Sequence, residues 1–126
     1  MPGITIKEGK LLYERDAVKY PGDLLHEAGH IAVTVPEARK KLNGEIPKER
    51  HGDEMAVLVW SYLAAEASGI PPEIVFHPDG YKGDSQWLLE NYRNKKYIGL
   101  PLIVWMKIVE EQKDGTLKVV SWLRGN

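Results

Sequence analysis

Cysteine is absent from this chain of 126 residues, and its absence narrows the chemistry open to the protein. Without thiols the chain forms no disulfide, offers no thiolate to a metal ion and has no cysteine nucleophile. Any metal ion would have to be held by histidine and carboxylate side chains. Since the chain has only four histidines, their positions are informative.

Excess charge and long apolar runs are lacking as well. The formal net charge is −1, which provides no basic field for nucleic acid or an anionic membrane surface. No apolar run approaches the roughly 20 residues that span a bilayer, and the first residues lack the pattern of a secretion signal. Hydrophobic residues make up 43% and charged residues 28%, as in ordinary globular proteins. We therefore expect one cytoplasmic domain over residues 1–126, without nucleic-acid or membrane partners.

Two of the four histidines lie in one short segment, His26-Glu27-Ala28-Gly29-His30. Residues four apart on a helix are separated by about 40° around its axis, so both imidazoles lie on one face. Zinc binds histidine nitrogen at about 2.0–2.1 Å, and two such side chains can reach one ion. Glu27 would then face a metal-bound water, from which it can accept a proton. Gly29 costs a helix about 1 kcal/mol relative to alanine, which suggests close packing at this position.

A zinc site of this type needs a third protein ligand. Glu54 is the preferred candidate because it begins an apolar helix, on a face that is directed into the protein. A carboxylate held there needs a cationic partner, which a metal ion would supply. Asp84, which begins a later helix after a glycine-rich loop, is the first alternative, and Asp53 and His51 are the others.

The segment from Asp23 to Thr34 resembles the zincin metallopeptidases, whose signature is HExxH. Its apolar flanks are similar to those of AAA-type membrane zinc proteases and small zincin-like domains, and a downstream helical glutamate resembles the gluzincin arrangement. This resemblance implies Zn²⁺ as the cofactor, His26, His30 and Glu54 as its ligands, and Glu27 as the general base.

A peptide or protein substrate also follows from the resemblance. The oxyanion formed during peptide hydrolysis needs a donor besides the metal. Tyr81 and His77, which are both predicted to lie on the glycine-rich loop, are the candidates. The competing hypothesis is a metal-binding, non-proteolytic zincin-like module that acts through protein–protein interaction.

The sequence pattern predicts several elements around the motif. Short β-prone pieces at residues 4–6 and 10–13 predict a hairpin. Asp23 is predicted to cap the N-terminus of the motif helix, which Pro36 stops or kinks. Residues 55–65 have almost no polar face and predict a buried central helix.

The C-terminal half is predicted to hold a third helix and a hairpin. The helix is expected over residues 85–94, and strands over residues 102–109 and 116–123, joined by a turn at Lys113-Asp114-Gly115. Trp105 and Trp122 would then pair across the hairpin. The predicted fold class is α+β. It is a single zincin-like domain with an HExxH helix, a buried central helix, a third helix and a small sheet that includes a C-terminal β-hairpin.

Overall fold

Six helices and two β-hairpins form the described part of the chain, which covers residues 4–16, 22–41, 54–77 and 85–126 of a computed structural model. In chain order they are β1 (Ile4–Lys7), β2 (Lys10–Tyr13), α1 (Asp23–Ala32), α2 (Pro36–Arg39), α3 (Glu54–Ser68), α4 (Pro72–Val75), α5 (Ser85–Arg93), α6 (Leu100–Trp105), β3 (Val109–Glu111) and β4 (Leu117–Val119). This combination of helices with antiparallel strands confirms the predicted α+β class.

Helix α3 is the centre of the core. Every side chain from residue 56 to residue 65 is buried, because α1, α4 and α6 all pack against it. This confirms the prediction of a buried helix made from its missing polar face. Gly69 ends the helix with a φ of 72°, in the left-handed region that glycine enters without a steric penalty. No helix in the described ranges is long and apolar enough to cross a bilayer.

The two hairpins form separate two-stranded sheets. β1 pairs with β2 in antiparallel register, with Ile4 opposite Tyr13, and this hairpin packs against α1. β3 pairs with β4, with Val109 opposite Val119. The first predicted hairpin is therefore confirmed. The second is confirmed in its turn and in part of its second strand, since β4 is much shorter than the predicted strand over residues 116–123.

The predicted strand over residues 102–109 is wrong, since its first part belongs to helix α6. Gly99 has a φ of 93°, and Pro101 lies in the first turn of the helix, a position that proline favours. Ile103 and Met106 are both 0% exposed, and their spacing of three residues suits one face of a helix against α3. A short run of apolar β-prone residues is compatible with both a strand and a buried helical turn, so the pattern alone does not distinguish them.

The predicted pairing of Trp105 with Trp122 is wrong for the same reason. Trp105 lies in α6, where the Arg124 guanidinium carbon stands 4.8 Å from its ring centroid. Trp122 follows β4 and packs edge-to-face against Trp60 of α3, with ring centroids 5.7 Å apart. Trp105 and Trp122 therefore pack against different parts of the fold and not against each other.

Candidate metal centre

Helix α1 presents both histidines of the motif on one buried face. His26 is 7% exposed and His30 is 9% exposed, and their Nε2 atoms are 3.2 Å apart. The predicted cap at Asp23 is wrong by one residue, since Gly22 occupies the N-cap and Asp23 is the first helical residue. The helix nevertheless begins where the sequence requires, so its two histidines lie one turn apart.

Glu54 completes a three-residue cluster from the first turn of α3. Its Oε1 lies 3.1 Å from the His26 Nε2, and its Oε2 lies 3.1 Å from the His30 Nε2. The carboxylate side chain is 39% exposed, so one side of the cluster is open to solvent. The structure thus brings together the three residues that the sequence analysis proposed as ligands. They come from two helices, and His30 and Glu54 are 24 residues apart in the sequence.

The charge state of Glu54 suits a cation. Burial alone would raise the pKa of this carboxyl, but hydrogen bonds and charge interactions with His26 and His30 outweigh it and hold the pKa well below its usual range. The carboxylate is therefore ionised at neutral pH, and it can only accept hydrogen bonds or bind a cation.

The spacing of the three side chains fits one small metal ion. Four ligands placed tetrahedrally at about 2.0–2.1 Å from zinc are about 3.3–3.4 Å from one another. The Nε2 atoms of His26 and His30 are 3.2 Å apart, close to that separation, and each lies 3.1 Å from a different oxygen of the Glu54 carboxylate. In the described ranges, His26, His30 and Glu54 are the one group of histidine and acidic residues whose ligand atoms lie close enough together to share an ion.

Gly29 explains how α1 comes so close to α3. A β-carbon on Gly29 would lie 2.9 Å from the Val57 Cγ1, 3.2 Å from the Trp60 ring and 3.4 Å from the Ser61 hydroxyl. Ser61 itself is buried and donates its hydroxyl to the Val57 carbonyl oxygen at 2.8 Å. The close packing that the sequence suggested at Gly29 is therefore present, and it is packing against the helix that carries Glu54.

Glu27 lies next to the cluster without joining it. It is half-buried and follows His26 on α1, about 100° further around the helix axis. Its carboxylate is not among the grouped ligand atoms of His26, His30 and Glu54. That placement leaves Glu27 available for a role other than metal ligation.

The other candidates have different outcomes. His77 lies outside the cluster, and its Nε2 is 3.0 Å from the Asp23 Oδ1 in a second, well-buried pair. Asp23 precedes His26 by three residues, so this pair lies one helical turn from the cluster. The alternative ligands Asp84, Asp53 and His51, and the oxyanion candidate Tyr81, lie outside the described residues.

An apolar groove follows the contact between α1 and α3. Its volume is about 290 Å³, and it is lined by Leu25, Trp60, Ala64, Ala67, Ser68 and Trp122. Leu25 directly precedes His26, and Trp60 packs against Gly29. The groove was not predicted, because Trp122 reaches it from a distant part of the chain and no local spacing signals that approach.

Comparison with known proteins adds no relative. No protein-family model matches the chain, and neither a curated protein nor a solved structure matches it. Membership of the zincin family therefore stays a prediction. The case for a metal centre depends on the motif and on the distances among His26, His30 and Glu54.

Proposed function

We propose that this chain is a zinc-dependent metallopeptidase domain in which His26, His30 and Glu54 hold the ion and Glu27 is the general base. The observation that carries the proposal is the convergence of three ligand side chains, from two helices, within 3.1–3.2 Å of one another. Two imidazoles and a carboxylate are the protein ligands of the zinc ion in several catalytic zinc enzymes.

Zinc is the metal we propose because of the donor atoms and their number. Imidazole nitrogen and carboxylate oxygen are both ordinary zinc donors, and three protein ligands leave a fourth position for water or substrate. The exposure of the Glu54 side chain, at 39%, provides an open side from which water or substrate could enter. Since the same donors also suit other divalent ions, the metal present has to be identified by measurement.

The proposed reaction is hydrolysis of a peptide bond. Bound zinc would lower the pKa of a water molecule and polarise the substrate carbonyl. Glu27 would accept the proton of the attacking water and later deliver it to the leaving amine. Its position directly after His26, outside the group of three ligands, suits this role.

Two surfaces near α1 support a peptide as the substrate. The β1–β2 hairpin packs against this helix, and a two-stranded sheet has edges that can pair with an extended peptide. The apolar groove between Leu25 of α1 and the Trp60-to-Ser68 part of α3 offers a wall for an apolar side chain. We propose a peptide or protein substrate on these grounds, and the cytoplasmic location stays a prediction.

Metal analysis and peptide hydrolysis of matched variants test the proposal. We expect one zinc ion per wild-type chain, and loss of that zinc in Glu54→Gln, which keeps the side-chain shape but removes its charge. Glu27→Gln should keep the zinc and lower kcat on a peptide library by about 10²–10⁴-fold. Glu66→Gln is the control, because Glu66 is an exposed residue of the same helix as Glu54.

Each failure has a separate meaning. A wild-type chain without stoichiometric zinc or another divalent metal contradicts the metal centre itself. A zinc-loaded wild-type chain that cleaves no peptide contradicts only the peptidase proposal, and it favours the non-proteolytic interaction module.

A further inference from the structure

The carbonyl end of α1 is held by a residue from the far end of the chain. The last carbonyl oxygens of a helix have no partner within it and need donors from elsewhere. Thr34 donates its hydroxyl to the His30 carbonyl at 2.7 Å. The next two partners come from Arg124, whose backbone N–H donates to Ala32 O at 2.8 Å and whose Nη1 donates to Val33 O at 3.2 Å.

Arg124 is itself firmly placed. It is only 8% exposed, its Nε donates to the Asn126 side-chain oxygen at 3.1 Å, and its guanidinium lies over the Trp105 ring. Its own carbonyl oxygen accepts from the Arg39 Nη2 at 2.7 Å. A buried guanidinium with this many fixed contacts has little freedom to move, so it can hold the helix end in one place.

The segment around Arg124 also contacts the other ligand-bearing helix. Trp60 of α3 donates its indole N–H to the Trp122 carbonyl oxygen at 2.9 Å, two residues before Arg124. Residues 122–124 thus connect the end of α1, which carries His30, to α3, which carries Glu54. This connection is made by a segment that supplies no metal ligand.

We infer that Arg124 is a positioning residue of the metal centre, and this inference rests on the proposed function. His30 lies in the last turn of α1, the part of a helix that frays first when its carbonyls lose their partners. Arg124 fixes this turn through one hydrogen bond from its backbone N–H and one from its guanidinium, and its positive charge suits the negative end of the helix dipole. Ligand side chains must be held to within about 0.5 Å for productive geometry, so loosening this turn weakens the metal site.

The test compares metal binding with folding in two variants of Arg124. Arg124→Met keeps a long buried stem but removes the guanidinium, and Arg124→Lys keeps the charge without the fork of donors. Zinc affinity is measured by competition with a chelator, the site geometry by the absorption spectrum of the cobalt-loaded chain, and apo-protein stability by urea unfolding. Arg93→Met is the control, since Arg93 pairs with Glu73 and joins α5 to α4, away from the cluster.

We expect Arg124→Met to raise the zinc Kd by about 10-fold, the lower end of the effect of removing a direct hydrogen-bond partner of a ligand, and to alter the cobalt spectrum. Arg124→Lys should recover part of the affinity, and Arg93→Met should bind zinc as the wild type does. An Arg124→Met chain that is folded and keeps the wild-type Kd and cobalt spectrum overturns the inference, even if its stability has fallen.

Three further outcomes keep this test separate from that of the proposed function. If Arg124→Met does not fold, Arg124→Lys decides, and wild-type zinc affinity with a wild-type cobalt spectrum in that variant overturns the inference. A wild-type chain that binds no divalent metal contradicts the proposed function and the inference together. Normal wild-type binding with unaffected Arg124 variants contradicts the inference alone.

Discussion

Gly29 of α1 lies so close to Val57 of α3 that a β-carbon on the glycine would come within 2.9 Å of the Val57 Cγ1. Real side chains hardly ever approach so closely, and the branched Val57 has little room to move because it is 0% exposed. The missing side chain at Gly29 therefore sets the separation of the two helices that hold the proposed metal ligands.

Gly29→Ala should weaken both the fold and the metal site. Overpacking a core costs about 1–3 kcal/mol, which outweighs the roughly 1 kcal/mol that alanine gains in a helix. We expect the free energy of unfolding to fall by up to about 2 kcal/mol and the zinc Kd to rise, since α1 moves away from Glu54. Urea unfolding of the apo protein and chelator competition measure the two effects.

Ala28→Gly is the matched control for that experiment. Ala28 is half-buried on the same helix, and its replacement costs helix propensity without adding volume. It should lower stability by about 0.5–1 kcal/mol and leave the zinc Kd unchanged. Unchanged or tighter zinc binding in Gly29→Ala, together with weaker binding in Ala28→Gly, would show that helix propensity, and not helix separation, governs the site.

The buried pair of Asp23 and His77 should contribute measurable stability. Their side chains are 10% and 12% exposed and their polar atoms are 3.0 Å apart, so solvent screens the contact poorly. A double-mutant cycle with Asp23→Ala and His77→Ala should give a coupling energy of about 1–3 kcal/mol in urea unfolding. The pair Glu73 and Arg93, which is about half exposed, should give less than about 1 kcal/mol in the same cycle. A buried-pair coupling no larger than the exposed one would contradict the assigned contact.

Tyr92 should make the stability of the protein sensitive to alkaline pH. The residue is 1% exposed, burial raises the pKa of its hydroxyl well above the usual 10.0, and that hydroxyl has no hydrogen-bond partner in the described part of the chain. The unfolded chain loses this proton near pH 10 and the folded chain keeps it. Its contribution to stability is therefore complete below about pH 10 and is lost as the pH rises further.

Tyr92→Phe tests this pH dependence. The variant keeps the ring contacts and removes an unpaired polar group, so its stability at pH 7 should equal the wild-type value or exceed it by about 1 kcal/mol. The range from about pH 9 to pH 11 brackets the usual tyrosine pKa of about 10. Over this range the stability of the variant should fall less than that of the wild type. Tyr13→Phe is the control, since Tyr13 is 59% exposed. A wild-type alkaline loss that persists in full in Tyr92→Phe would show that other groups cause it.

Local patterns were sufficient for most of the elements. The β-prone pieces of the first hairpin, the apolar run of α3 and the turn at Gly115 each act over a few residues, and the structure confirms each of them. The failures at residues 102–109 and at Trp105 have one cause. A short apolar run fits a strand or a helix equally well, and the buried contacts of Ile103 and Met106 with the rest of the fold favour the helix.

The sequence by itself determined that two histidines share one helical face, because a spacing of four residues has that consequence in any α-helix. The absence of cysteine and the place of Glu54 at the start of an apolar helix also made this carboxylate the best third candidate. Only the tertiary structure decided that Glu54 meets both imidazoles at 3.1 Å, since that depends on the approach of α1 to α3 at Gly29. It also decided that Arg124 holds the end of α1, a contact between residues 91 positions apart that no local pattern specifies.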